Sequence, residues 1–89
     1  MSGYEIVSAA WHSNNLGAGL SGGATAKCPT GKKVLGGGVQ SSNSGRNLLV
    51  VSSYPDGATQ SWVGESRNIS TLSIGVADVV VFAICANVQ

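Results

Sequence analysis

The sequence predicts an all-β chain: an antiparallel β-sandwich, jelly-roll or immunoglobulin-like, with about seven short strands. Apolar residues recur at period two in short runs, and no window shows a helical period. Turn-forming Gly, Pro, Asn, Asp and Ser separate those runs at close spacing. A chain of 89 residues makes a single domain, 1–89, whose core is too small to be stable by a wide margin.

Residues 4–11 read as the first strand, with Tyr4, Ile6, Ser8 and Ala10 on one side and Glu5, Val7, Ala9 and Trp11 on the other. Residues 12–23, rich in Ser, Asn and Gly, read as a loop. A short strand over 24–28 follows. Pro29 then sets φ for the first corner of a tight turn and Gly31 closes it, so a strand over 32–40 begins at once. Within that strand, Gly36, Gly37 and Gly38 permit a bulge or the close approach of another backbone.

Residues 41–47 form a polar loop. Residues 48–54 are apolar on both faces for their first half, which predicts a central strand, and Pro55-Asp56-Gly57 is a turn. A strand over 60–66 carries Trp62 on one face and Val63 on the other. Residues 71–76 alternate, with Leu72, Ile74 and Val76 inward, and Ala77-Asp78 leads into a last strand over 79–85.

That last strand is apolar on both sides. Val80, Phe82 and Ile84 point one way, and Val79, Val81, Ala83 and Cys85 the other. In a lone pair of sheets one of these sides meets water. A neighbouring subunit over Val79, Val81 and Ala83 is therefore expected, in a closed homo-oligomer with a trimer favoured.

Charged residues are 10% of the chain against a usual share of about 25%, and hydrophobic residues are 43%. This composition argues against disorder, and against a cytoplasmic chain kept soluble by a charged surface. Another subunit or another protein is expected to cover part of the surface. A net charge of +1 makes no electrostatic case for nucleic acid or an anionic membrane. The longest apolar run, residues 79–86, is far too short to span a bilayer. The opening residues carry no export-signal pattern, which leaves a mature fragment of an exported chain or a virion protein released by lysis. Two cysteines permit one pairing, Cys28 with Cys85, worth roughly 4 kcal/mol of loop entropy; two buried thiols are the alternative.

The motifs that would carry chemistry are weak. Gly17-Ala18-Gly19-Leu20-Ser21-Gly22 matches a dinucleotide-phosphate pattern, but that site needs a strand before it and a helix after it, and no helix is expected. Gly31-Lys32-Lys33 lacks the earlier glycine and the following Ser or Thr of a phosphate loop. His12 is the only histidine, with no thiolates or carboxylates at metal-ligand spacing, so neither a metal nor a cofactor is expected. Glu5, Asp56, Glu65 and Asp78 are scattered, and no spaced nucleophile accompanies His12; the expectation is a protein that is not an enzyme. Asn68-Ile69-Ser70 fits a glycosylation acceptor in pattern alone.

Aromatic residues beside amides and carboxylates suit sugar binding, because C–H groups stack on the ring while hydroxyls pair with polar groups. Trp62 and Tyr54, with Asp56, Glu65, Arg46 and Asn47, are the candidate ligand-binding set, helped by Asn14, Asn15 and Asn43. The competing reading makes Trp62 a core anchor.

Residues 28–38 and 79–86 resemble a small bacterial β-domain that recurs in secreted actinobacterial proteins and at the ends of collagen-like or phage-tail chains. Its pattern is Cys-Pro-x-Gly-Lys-x-Val-x-Gly-Gly-Gly, a Ser-x-Pro turn, a Trp strand, and a closing apolar strand ending in Ala-x-Cys-Ala. Cys28 to Gly38 match the opening, Tyr54-Pro55 the turn, Trp62 the middle strand and Ala83-Ile84-Cys85-Ala86 the close. The resemblance implies a disulfide-linked, non-enzymatic sandwich on a virion surface or outside the cell, and it carries over no binding residues. Residues 1–23 depart from it, with no collagen-like or coiled stem, which points toward a phage capsid-decoration or tail-surface protein. Its expected partners are other virion proteins or a cell-surface glycan.

Overall fold

The computed structural model describes residues 2–41 and 47–87. Six strands form among the described residues: β1 (Ser2–Ser13), β2 (Ser21–Lys27), β3 (Lys33–Ser41), β4 (Leu48–Asp56), β5 (Ser61–Asn68) and β6 (Ala77–Asn87). No helix occurs among the described residues. The strands make two antiparallel sheets ordered β1-β6-β3 and β2-β5-β4. The sheets stack with β1 against β2, β6 against β2 and β5, and β3 against β4 and β5. Only β4 to β5 is a hairpin; every other connection carries the chain from one sheet to the other.

That crossing explains the strand that is missing. Residues 71–76 do not form the expected seventh strand, because they carry the chain from β5 in one sheet to β6 in the other, across sheets about 10 Å apart. A single bridge, Leu16 with Ile74, ties this crossover to the loop after β1. Ile74 is buried, whereas Leu72 and Val76 are 75% and 54% exposed, so the alternation there does not mark a sheet face. The loop expected over 12–23 is shorter, since β1 runs through Ser13 and β2 starts at Ser21. Of the loop expected over 41–47, residues 42–46 lie outside the described residues.

The central strands are β5 and β6. Residues 48–54 were expected in the middle of a sheet, but β4 is an edge strand. Leu48 is buried, a bulge lies between Val50 and Ser52, and Leu49, Val50 and Val51 are exposed.

β6 corrects the expected subunit interface. Val79, Val81 and Ala83 have no exposed surface in the single chain, nor has Cys85. They face the second sheet and form the core with Ala26, Leu48 and Ile74, so they are not available to a neighbouring subunit. The side of β6 turned away from the core is the one bearing Val80, Phe82 and Ile84, all half-buried.

Glycines let large rings lie between thinly covered sheets. A Cβ on Gly22 would collide with the indole of Trp11, and one on Gly37 with the indole of Trp62. Trp11 of β1 thus packs on β2, and Trp62 of β5 on β3. The expected bulge in β3 lies between Val34 and Gly36. A disulfide joins Cys28, just after β2, to Cys85 in β6, and so pins one sheet to the other.

Candidate functional site

Trp62 sits on the inner face of its sheet. Its ring covers Gly37 of the opposite sheet, and its Nε1 donates to Ser53 Oγ at 2.9 Å on the β4 edge. Tyr54 pairs with Val63, the next residue along β5, so it projects from the outer face, where it is 51% exposed. Glu65, three residues from Trp62 on the same strand, also lies on that outer face. The sheet itself therefore separates Trp62 from Tyr54 and Glu65, and the aromatic pair does not come together as one binding surface.

The other candidates take local roles. Asp56 Oδ1 accepts a hydrogen bond from the Ala58 amide at 3.0 Å and shapes the β4–β5 turn. The Asn47 carbonyl accepts from the Ile69 amide at 2.8 Å. Arg46 and Asn43 lie outside the described residues. Asn14 accepts from His12 and the Asn15 amide donates to Ser13 Oγ, both between the end of β1 and the loop that follows it.

Among the described residues, two of the shallow depressions bear on these candidates. One, of about 210 Å³, lies on the outer face between β2 and β5, lined by Gly23, Thr25, Val63 and Glu65, next to Tyr54. This is smaller than an ordinary small-molecule pocket of about 300 Å³ or more. The second, of about 250 Å³, lies where the Cys28–Lys32 turn meets Ala58, Thr59 and Gln60. Two of its polar side chains, Lys32 and Gln60, are already engaged. Lys32 Nζ reaches the Gly3 carbonyl at 2.6 Å and forms an ion pair with Glu5. Gln60, in a left-handed conformation with φ 52°, accepts from the Val34 amide at 2.8 Å and donates to the Gly57 carbonyl at 2.7 Å.

His12 stands opposite Asp78 across β1 and β6. Its Nδ1 pairs with Asp78 and its Nε2 donates to Asn14 Oδ1 at 2.8 Å. With an acceptor at each ring nitrogen the imidazolium is favoured. The Asp78 hydrogen bond, then the Asn14 hydrogen bond, then the Asp78 charge raise the His12 pKa above its ordinary 6.5. Both ring nitrogens thus already have a hydrogen-bond partner within the chain. Among the described residues, no three His, Cys, Asp or Glu side chains come together as a metal site.

Asn68 is the residue that sequence reasoning undervalued. It is completely buried, and its side chain uses its full hydrogen-bonding capacity. Nδ2 donates to the carbonyls of Leu16 and Leu72 at 2.9 and 2.8 Å, while Oδ1 accepts from the Ser70 amide and hydroxyl at 2.9 and 2.7 Å. The glycosylation pattern at 68–70 is thus a structural one, an amide that shapes the crossover; its nitrogen is inaccessible in the folded chain. A polar residue at the end of an apolar strand, followed by Ser two places on, was the available signal.

Apolar side chains face outward in three zones. Tyr4, Ile6 and Leu35 lie on the β1-β6-β3 sheet, Leu49, Val50, Val51 and Tyr54 along β4, and Leu20, Ile69, Leu72 and Val76 at the crossover end. Comparison of the chain with protein-family models, curated proteins and solved structures gives no match.

Proposed function

We propose that the protein is a non-enzymatic structural and adhesive surface module, homo-oligomeric, working on the outside of a phage virion or a comparable extracellular assembly. One observation carries this reading. Eleven large hydrophobic side chains are at least 40% exposed among the described residues, although the chain has only nine charged residues to keep it apart from its neighbours. Clusters of exposed apolar side chains in three zones, with so few charges around them, are what a surface covered by a partner presents. The disulfide fits an oxidising location outside the cell.

A second reading, a small carbohydrate-binding module, draws on Tyr54, whose exposed ring stands beside Glu65 and the depression between β2 and β5. Sedimentation of the native chain separates the two. A mass several times 8.9 kDa, with no glycan bound on an array, supports assembly. A monomer whose glycan binding is abolished by Tyr54→Ala, with the fold intact, overturns it in favour of the lectin.

A further inference from the structure

At the end of the sandwich that carries the disulfide, three side chains of different chemistry meet around Gly3. Glu5 stands opposite Cys85 across β1 and β6, and Asn87 lies two residues beyond Cys85 on the same side of β6. Lys32, the residue before β3, reaches past β6 to β1. Its Nζ donates to the Gly3 carbonyl at 2.6 Å and pairs with the Glu5 carboxylate. Gly3 makes the meeting possible. It sits in the irregularity of β1 between Ser2 and Glu5, in a left-handed conformation with φ 64°. A Cβ there would collide with Asn87 Nδ2, and would lie 3.2 Å from Asn87 Cγ and 3.3 Å from Lys32 Cε. An amine, a carboxylate and a carboxamide are therefore packed about a residue with no side chain to part them. The Lys32 side chain is only 20% exposed, so its amine is held in this place.

We propose that these groups form an amide cross-link within the chain, between Lys32 Nζ and Asn87 Cγ. Glu5 takes a proton from the Lys32 ammonium, and the freed amine attacks Cγ. The Nζ–Cγ bond forms and the Cγ–Nδ2 bond breaks. Nζ gives up two protons, one before the attack and one after it. Glu5 hands both to Nδ2, which leaves as ammonium, and Glu5 is ionised again. No oxidant, metal or second substrate enters the balance. An amine and an amide in dilute solution do not exchange, but fixing them side by side supplies an effective molarity on the order of 10⁵–10⁸ M. Loss of ammonium to solvent makes the step one-way. Asn87 rather than Glu5 is the acceptor, because an ionised carboxylate is a poor electrophile. The bond joins the start of β3 to the end of β6 beside the disulfide, a second covalent tie that no thiol reductant opens. This inference stands apart from the assembly reading and does not depend on it.

Intact-mass measurement of the full chain, kept folded and then denatured and reduced, tests this. The wild type is expected one ammonia lighter than its sequence mass, with a digest fragment in which the Lys32 and Asn87 peptides are joined. Lys32→Arg, which keeps the charge, and Asn87→Ala are expected at their full sequence masses. Glu5→Gln is expected to cross-link about 100-fold more slowly or worse. A wild type at its full sequence mass overturns the proposal, and that measurement needs no variant to fold. An ammonia loss that persists in Lys32→Arg also overturns it, since that loss is closure of Asn87 on its own backbone. An unchanged rate in Glu5→Gln overturns the proton transfers assigned to Glu5.

Discussion

Replacing Asn68 tests whether one buried amide holds the crossover in place. Asn68→Ala removes four side-chain hydrogen bonds at once. Each contributes about 1 kcal/mol net. The loss is not complete at every partner. The Leu16 carbonyl keeps its bond from the Ile74 amide at 2.9 Å, and the Ser70 hydroxyl, whose one proton is shared between Asn68 Oδ1 and the Leu72 carbonyl 2.7 Å away, passes wholly to Leu72. Only the Ser70 amide loses the partner seen here. The expected cost is about 3 kcal/mol, a large share of the roughly 5–15 kcal/mol available to a small domain. Denaturant unfolding with the disulfide intact measures it, and amide exchange at Leu16 and Ile74 shows whether the crossover opens before the sheets do.

Asn68→Asp sharpens the test. It sets a carboxyl oxygen against the carbonyls of Leu16 and Leu72 in a site with no exposure. Burial pushes the pKa of that carboxyl above its unfolded value of about 3.9. A group with a raised folded pKa contributes best while protonated, so the variant is expected to be worse than Asn68→Ala at pH 7 and to recover as pH falls through the folded pKa. A loss below about 1 kcal/mol for Asn68→Ala, with unchanged amide protection, would refute the hub.

Three further outcomes follow from the same geometry. The disulfide closes a separation of 57 residues with both cysteines buried, so the Cys28→Ala/Cys85→Ala pair is expected to lose about 4 kcal/mol, and thiol reductant to cleave the bond only when denaturant is present; ready cleavage of the native chain contradicts the burial. Gly37→Ala is expected to cost about 3 kcal/mol because its Cβ meets Trp62 and the Phe82 carbonyl, while Gly57→Ala, with open space around it, should gain a few tenths, both read from denaturant midpoints. His12 is expected to titrate above 6.5 by NMR and to return toward it in Asp78→Asn. The contribution of its pair to stability is full below the unfolded pKa and is lost as pH rises through the folded one, so an unshifted His12 removes the Asp78 contact from the account.

The candidate site shows where sequence reasoning stopped short. Trp62 and Glu65 are an odd number of places apart in one strand, so period two alone puts them on opposite faces, and that much was readable. Tyr54 was not, since its face depends on the register that pairs it with Val63. The segment 71–76 has the alternation of a strand but is spent on crossing between sheets, a demand set by the order of strands rather than by any local pattern. Residues 48–51 are apolar on both sides, yet they lie at an edge where a bulge turns Val51 outward.

Composition and period determined that this chain makes short antiparallel strands, where most of them turn, and that Cys28 has no partner but Cys85. Both sides of residues 79–85 are greasy, however, and no spacing rule chooses between two equally apolar sides. The tertiary structure made that choice, because the sheet holding β5 stacks on the side bearing Val79, Val81 and Ala83 and leaves Val80, Phe82 and Ile84 turned outward. Which side is core and which is left outside is a property of how layers stack, and stacking is decided by contacts between residues far apart in the chain.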